Sequence, residues 1–248
     1  MRKLLLALML MIPGPAIAES LVSTVSSPQV LITSSFDGAT LSLFGNIEGT
    51  AEAPAAGPYN VIVVITGPLQ DRVTRLKTNS FGIWSNTDSV DFRHFPSFYA
   101  VIASGKLDAI ATPELLTQYA IRPEEQARLA AQSQVLKAER FGMELVRLMI
   151  EQQHFVVRED SVRFLSPTAY AVNLTLPSDV ANGPFLVHTL VFKNQELVAE
   201  RSEGFSVRKS GFENFVFVAS RQQPLLYGLV CVLLALGTGW LAGVAFKR

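Results

Sequence analysis

Cysteine is almost absent from this sequence of 248 residues. The one cysteine, Cys231, lies within a long apolar run near the C-terminus. The chain outside that run therefore has no disulfide, no thiol nucleophile and no thiolate ligand for a metal. Its fold must be stabilised by a hydrophobic core, which a chain of about 200 residues is long enough to build.

Histidine is scarce, and an excess of charge of either sign is missing. His94, His154 and His188 lie far apart in the chain and form no H-x-H or H-E-x-x-H motif. The sequence therefore predicts no metal site and no cofactor, and it contains no phosphate-binding glycine loop or serine-nucleophile elbow. Lys and Arg number 21, as do Asp and Glu. Without a basic patch, nucleic acid is not expected as a partner.

The N-terminus is typical of a secretory signal peptide. Two basic residues precede the apolar run 4–12, and Ala16 and Ala18 supply the small residues that signal peptidase requires. Cleavage is predicted before Glu19. An uncleaved anchor is the alternative, which the well-formed cleavage site disfavours. Cleavage removes two of the 21 basic residues and none of the 21 acidic ones, so the mature chain has a net charge of about −2.

The C-terminus is typical of a membrane-spanning helix. Residues 225–246 contain no charged side chain, and a helix of that length spans about 33 Å, enough to cross a bilayer core of about 30 Å. Lys247 and Arg248 follow directly. With the signal peptide, this pattern predicts a single-pass protein of the bacterial inner membrane, with its bulk in the periplasm and its C-terminus in the cytoplasm.

One face of this predicted helix carries small residues only. Cys231, Ala235, Gly239 and Gly243 are spaced four apart, and the last two form a G-x-x-x-G motif. Membrane helices associate through such faces because their backbones can approach closely. We expect the face to pack against another integral membrane protein or against a second copy of the chain.

The exported part is predicted to be mainly β with a helical segment, as an Ig-like β-sandwich. Branched and aromatic runs separated by turn residues indicate strands both before and after a helical stretch. Among them, residues 59–66 form a near-continuous apolar run, consistent with a central strand buried on both faces, and Asn79-Ser80 is one of the predicted turns. The late strands either complete the early sandwich or form a second small sheet that shares the helix as a common core. The predicted divisions are a signal peptide (1–18), sandwich strands (19–111), a helical segment (112–154), a second strand set completing the exported domain (155–215), the transmembrane helix (224–246) and a cytoplasmic tail (247–248).

Two helices are predicted in the middle segment. Thr112 and Pro113 are typical of an N-cap and a first helical position. A longer amphipathic helix is expected from Arg122 to about Gln153, packed on the sandwich. Its apolar stripe recurs every seven residues, at Leu129, Leu136, Met143 and Ile150, and Phe141, Leu145 and Val146 broaden it in the second half.

Asp37 and Gly38 lie between two runs that resemble strands. Asp-Gly in this position favours a two-residue hairpin turn, because both central residues of a type I′ turn need positive φ. We therefore expect Asp37 to serve the turn and not a catalytic or ligand-binding role.

Five pieces of the sequence together resemble a known family. They are SSFDGATLSLFG (34–45), ITGP (65–68), GIWSN (82–86), FPSFYAVIASGKL (95–107) and the tail PLLYGLVCVLLALGTGWLAGVAF (224–246). In this order they resemble a family of alphaproteobacterial transmembrane proteins without an established function. The resemblance implies a periplasmic domain with one C-terminal anchor, and it suggests a transporter, such as a sulfite-exporter-like permease, as a partner. It implies no catalytic residue.

Three functions are compatible with the sequence. The preferred one is a membrane-anchored periplasmic accessory or binding protein, with Asp91, His94 and Tyr99 as candidate ligand-binding residues. The second is an enzyme whose site assembles from distant residues, namely Asp37, Asp91, His94 and His188. The third is a homodimeric structural protein of the envelope. No catalytic residue is assigned, and an enzymatic role is not favoured.

Overall fold

The computed structural model describes residues 19–32, 38–49, 54–132, 135–209 and 212–245. The signal peptide, Asp37 and the tail 247–248 lie outside these residues. The strands are β1 (Glu19–Val25), β2 (Gln29–Ile32), β3 (Ala39–Gly49), β4 (Asn60–Thr66), β5 (Leu69–Ser80), β6 (Ile83–Pro96), β7 (Tyr99–Ala103), β8 (Phe155–Arg158), β9 (Arg163–Phe164), β10 (Ala169–Leu176), β11 (Gly183–Lys193) and β12 (Glu196–Lys209). The helices are α1 (Leu107–Ile110), α2 (Pro113–Gln118), α3 (Pro123–Ala130), α4 (Val135–Glu151), α5 (Phe212–Gln222) and α6 (Pro224–Ala245).

Two packed sheets form the body of the protein. Sheet A has the strand order β1-β3-β10-β9, and sheet B has the order β2-β12-β11-β4-β7-β8. Each sheet contains strands from before and after the helical segment: β10 pairs with β3, and β11 lies between β4 and β12. The late strands therefore join the early ones in the same two sheets. The predicted fold class, mainly β with helices, is confirmed, while its Ig-like subtype stays a prediction.

Sheet B is covered on both of its faces. Five consecutive residues of β4, from Val61 to Ile65, are buried. Because side chains alternate along a strand, Val61, Val63 and Ile65 face sheet A, whereas Ile62 and Val64 face the helices. This explains why β4 is a continuous apolar run and why the sequence predicts a central strand there.

The helices α1 to α4 form the layer over the outer face of sheet B. As predicted, α2 begins after Thr112, whose Oγ1 accepts a hydrogen bond of 3.4 Å from the backbone N–H of Leu115. The fully buried rings of Phe92, Phe95 and Phe155 fill the space between this layer and the sheet. Phe95 and Phe155 stack with their centroids 5.2 Å apart.

The long helix expected from Arg122 to Gln153 is wrong as a single element. It is divided into α3 and α4, because the backbone leaves the helical conformation at Ala131 (φ −67°, ψ 132°). Ala131 forms a bridge to Phe92 of β6, and the N–H of Gln132 donates to the carbonyl of Asp91. The backbone N–H of Gln132, which would have continued the helix, therefore forms its hydrogen bond with β6 instead.

The seven-residue stripe is also wrong as the buried face, whereas Phe141, Leu145 and Val146, which were expected to broaden it, are buried. Leu129, Met143 and Ile150 are exposed, and the side chain of Leu136 lies outside the described residues. The stripe that packs on the sheet and ribbon follows a period near 3.6, which is the natural period of a straight helix. On α4 it consists of Ala138, Phe141, Leu145, Val146 and Met149.

The expected hairpin around Asp37-Gly38 does not join its flanking strands. β2 pairs in parallel with β12 in sheet B, whereas β3 pairs with β1 and β10 in sheet A. The chain thus passes from one sheet to the other between residues 32 and 39. Gly38 has φ of +115°, and a Cβ there would overlap the carbonyl oxygen of Leu176, so glycine is required for the close approach of β10.

β5 and β6 form a separate two-stranded antiparallel ribbon. Its near half packs against the helices, with Val90 and Phe92 buried beneath α3 and α4. Its far half extends to a turn at Phe81 and Gly82. The turn predicted at Asn79 and Ser80 is thus displaced by two residues.

Candidate functional site

Helix α6 is the element that defines this protein's relation to the membrane. Within the described residues, it is the one helix long and apolar enough to cross a membrane, and its span Pro224–Val244 is not buried by the rest of the protein. The 22 residues of α6 correspond to a length of about 33 Å. A free helix of this length and composition is stable in lipid, where every backbone group is satisfied within the helix.

The small-residue face of α6 is open. Cys231, Ala235, Gly239 and Gly243 are exposed, and successive members are rotated by about 40° around the helix axis. Nothing lies within 4 Å of the position that a Cβ would take at Gly239 or at Gly243. The nearby hydroxyl of Thr238 donates to the carbonyls of Leu234 and Ala235, at 2.8 and 3.0 Å. The face therefore offers close backbone approach rather than a hydrogen-bond donor.

The three candidate ligand-binding residues do not share one surface. Asp91 and His94 are exposed on β6, and the N–H of His94 donates to Oδ1 of Asp71 at 3.1 Å. Tyr99 is fully buried on β7, and its hydroxyl donates to the carbonyls of Ala120 and Ile121, at 2.9 and 3.0 Å. Burial raises the pKa of Tyr99 well above its usual range, despite a hydrogen bond from Gln126 that lowers it. Tyr99 thus binds the backbone of the segment that connects α2 and α3.

The other histidines each contact a separate carboxylate. His154 Nε2 lies 3.1 Å from Asp179 Oδ1, and His188 Nε2 lies 3.4 Å from Glu200 Oε2. Within the part of the chain that the structure describes, no hydrogen bond or ion pair joins His188 to Asp91 or His94. The same residues contain no group of three side chains that could hold a metal ion. Asp37, the fourth member of the enzyme hypothesis, lies outside them.

A groove of about 550 Å³ runs between α3 and α4. Its floor is apolar and its rim is acidic, with one ion pair between Arg128 and Glu125 at 2.6 Å. The sequence did not predict this groove, because it arises from the break between the two helices. Its lining residues are Glu124, Glu125, Ala127, Arg128, Ala131, Ala138, Glu139, Gly142 and Met143.

Comparison with known proteins places the chain in a family. The profile of a family described as "Putative transmembrane protein (Alph_Pro_TM)" matches residues 20–248. The chain belongs to this family. The resemblance seen in the sequence is thereby confirmed, and it extends over the β-rich body and the apolar helix.

No curated protein matches the chain. Among solved structures, it is similar to BslA, described as a bacterial hydrophobin, with 11% sequence identity and a TM-score of 0.23. That alignment covers 79% of this chain and 100% of the other chain.

The sequence did not predict a cluster of exposed apolar side chains that the described residues carry outside α6. At the end of the ribbon, Phe81 is fully exposed, Ile83 is 71% exposed and Trp84 is 67% exposed. We call these three residues the ribbon tip. The available signal was the stretch Asn79–Trp84, in which turn residues stand directly beside three large apolar side chains. In the sequence this stretch resembles an ordinary strand end, and only the structure places it beyond the packed body.

Proposed function

We propose that this protein is a membrane-anchored accessory protein of the bacterial inner membrane. In this proposal, the β-rich body lies in the periplasm and α6 packs against another integral membrane protein. The observation that carries the proposal is the open face of Cys231, Ala235, Gly239 and Gly243 on a helix that the rest of the protein does not cover. The predicted signal peptide and the basic residues after α6 support the orientation.

The small-residue face is what distinguishes this helix from a simple anchor. An anchor needs apolar side chains of any size, since lipid solvates large and small ones alike. Four small residues on one face instead allow the backbone of a second helix to pack at a shorter distance. The shorter distance increases the van der Waals contact between the two helices. The family resemblance makes a transporter the first candidate for the partner.

The body is proposed to recognise the partner's periplasmic part or a ligand, without covalent chemistry. The observation that favours this function over an enzyme is the separation of the candidate residues. Asp91 and His94 lie on the ribbon, whereas His188 lies in sheet B beside Glu200. General acid–base catalysis needs such groups within hydrogen-bond reach of one substrate.

The experiment that tests the proposal is crosslinking and co-purification from native membranes, with mass spectrometry to identify what is captured. Wild type is compared with Gly239→Leu/Gly243→Leu. The matched control is a pair of single variants, Gly239→Leu and Gly237→Leu. Both exchange the same residue types, but Gly237 is rotated by about 160° from Gly239 and so lies on the opposite face.

We expect a partner membrane protein to be captured with wild type and with Gly237→Leu, and to be lost with the Gly239 variants. Capture of the chain alone, with dimers lost in the Gly239 variants, would contradict the accessory function and support the homodimer instead. A full-length protein that purifies from mild detergent as a monomer without any partner would contradict both.

A further inference from the structure

The ribbon tip is held out by a turn that is unfavourable for its first residue. Phe81 and Gly82 have φ of 54° and 82°, and the pair Ser80–Ile83 closes the loop, as in a type I′ hairpin. The side chain of Asn79 accepts a hydrogen bond of 2.9 Å from the N–H of Gly82. Asparagine or glycine is the favoured residue where Phe81 stands, since a bulky side chain at positive φ costs free energy. The unfavourable backbone conformation of Phe81 thus occurs at a position where its ring contacts solvent instead of the core.

The far half of the ribbon is basic as well as apolar. Between residues 75 and 87 the charged side chains are Arg75 and Lys77, and both are exposed. Because side chains alternate along β5, these two project from the same face of the ribbon as Asn79. Trp84 is the cross-strand partner of Asn79, so it shares that face. A line of two cations thus leads to a tryptophan at the tip.

The acidic side chains next to this basic stretch are Asp88 and Asp91 of β6. Asp88 pairs with Leu76, on the face opposite Arg75, and its carboxylate forms an ion pair with Lys137 of α4. Asp91 lies on the same face as Arg75 but one step nearer the base of the ribbon. Residues 75–87 contain no acidic side chain, so the half of the ribbon that carries the tip is positively charged.

The ribbon begins at the end of sheet B from which the chain continues to the membrane helix. Pro68 precedes β5, and a Cβ on Gly183 would overlap its ring. Gly183 in turn pairs with Val207, near the end of β12, after which the chain continues to α5 and α6. The base of the ribbon thus lies at the end of the body where the chain leaves for the membrane helix, and the tether keeps the whole body, with its ribbon, near the lipid surface.

We propose that the ribbon tip docks into the interfacial layer of an anionic lipid bilayer. Phe81, Ile83 and Trp84 enter the boundary between headgroups and acyl chains, and Arg75 and Lys77 bind lipid phosphates. Tryptophan and phenylalanine favour this boundary, and basic residues close to the surface of an anionic membrane strengthen binding. An apolar tip with a cationic stem, in which the Asn79 amide oxygen already accepts a hydrogen bond within the turn, matches a lipid surface better than a protein interface, which has a patterned polar rim. This contact does not depend on the partner proposed for α6.

The test uses the full chain in reconstituted membranes. The protein has two tryptophans, Trp84 and Trp240. In a Trp240→Phe background, Trp84 alone reports its surroundings by the wavelength of its emission and by its quenching. The protein is placed in vesicles of phosphatidylcholine alone or with phosphatidylglycerol, with brominated acyl chains as the quencher within the bilayer and acrylamide as the quencher in water. The measurement does not depend on which way the protein inserts into the vesicle, because in both orientations the body lies beside a leaflet of the same lipid composition.

We expect a shorter emission wavelength, strong quenching by brominated lipid and weak quenching by acrylamide in the anionic vesicles. Arg75→Gln/Lys77→Gln should lower the ratio of docked to undocked ribbon by roughly 30-fold, at about fivefold for each charge near the surface. Lys106→Gln/Arg158→Gln is the matched control, since it removes two exposed cations from other elements and should change nothing. Phe81→Asn separates docking from folding: it favours the turn and should preserve thermal stability while it reduces lipid quenching.

Three results would overturn the proposal. In the first, Trp84 stays accessible to acrylamide and its emission is the same in detergent and in both kinds of vesicle. In the second, the control pair of cations has the same effect as the ribbon pair. In the third, Trp84 becomes shielded only when a second membrane protein is present, which would assign the tip to a protein pocket instead.

Discussion

Tyr170 lies directly opposite Gly45 in sheet A, and its phenol ring covers the glycine. The two residues are cross-strand partners on β10 and β3. A Cβ at position 45 would overlap the hydroxyl oxygen and the ring of Tyr170. Gly45 lies in β3, before the helical segment, and Tyr170 lies in β10, after it. The early and late strands therefore pack directly against each other at this pair.

Replacing Gly45 by alanine should therefore destabilise the body. The added methyl group must displace a fully buried aromatic ring, and overpacking of this kind costs about 1–3 kcal/mol. The measurement is chemical denaturation of the full-length protein in detergent. Gly105→Ala is the control, because the nearest atoms lie 3.8 Å or more from its Cβ position. Equal loss of stability in the two variants would mean that the packing of Tyr170 on Gly45 is not the cause.

Glu19, the residue predicted to start the mature chain, is bound in place by two side chains. Its Oε1 accepts a hydrogen bond of 2.7 Å from the Tyr59 hydroxyl and lies 3.4 Å from Nζ of Lys193. Glu19→Gln should lower the free energy of unfolding by about 1–2 kcal/mol, because hydrogen bonds to a charged group are the stronger kind. Glu48→Gln, at an exposed position of the adjacent strand, is the control and should have little effect. Mass spectrometry of the membrane-bound protein would test separately whether the chain begins at Glu19.

Stability should decrease in alkaline solution because of buried tyrosines. Burial raises the pKa of Tyr170 to about 12, and it raises the pKa of Tyr99 as well. The unfolded chain releases these protons near pH 10, before the folded protein does. The stabilisation is therefore complete below pH 10 and is lost as the pH rises through 10 to 12, at roughly 1.4 kcal/mol per pH unit for each tyrosine.

Tyr170→Phe should flatten this decrease, since phenylalanine has no proton to release. At pH 7 the variant should differ from wild type by about 1 kcal/mol or less. The comparison is made by denaturation at a series of pH values from 7 to about 11.5. Identical slopes above pH 10 in wild type and variant would contradict the assignment to Tyr170.

Local signals in the sequence predicted the elements whose determinants are local. Thr112 and Pro113 begin a helix because a cap and a fixed φ act within one turn. The apolar run 224–244 forms an uninterrupted helix because its composition alone satisfies the requirement for spanning lipid. The strand at 60–66 was recognisable because burial on both faces demands apolar residues throughout.

The predictions of the long helix and of the hairpin were wrong because residues distant in the sequence form the backbone hydrogen bonds at these positions. The helix stops at Ala131 because Ala131 bridges to Phe92 and the N–H of Gln132 donates to the carbonyl of Asp91. Nothing near Ala131 in the sequence indicates these contacts. Asp37-Gly38 was expected to close a hairpin, yet β2 and β3 find better partners in different sheets. Pairing over long distances in the chain overrides local turn preference, as it commonly overrides local propensity.

The membrane helix, its small-residue face and the mainly β character of the body could be predicted from the sequence, because each depends on composition or on spacing within one element. The tertiary structure was needed to show that early and late strands share two sheets, that Tyr99 does not share a surface with Asp91 and His94, and that the ribbon tip projects from the body. Whether a side chain is buried depends on what packs against it, and in this protein the packing partners come from opposite halves of the chain.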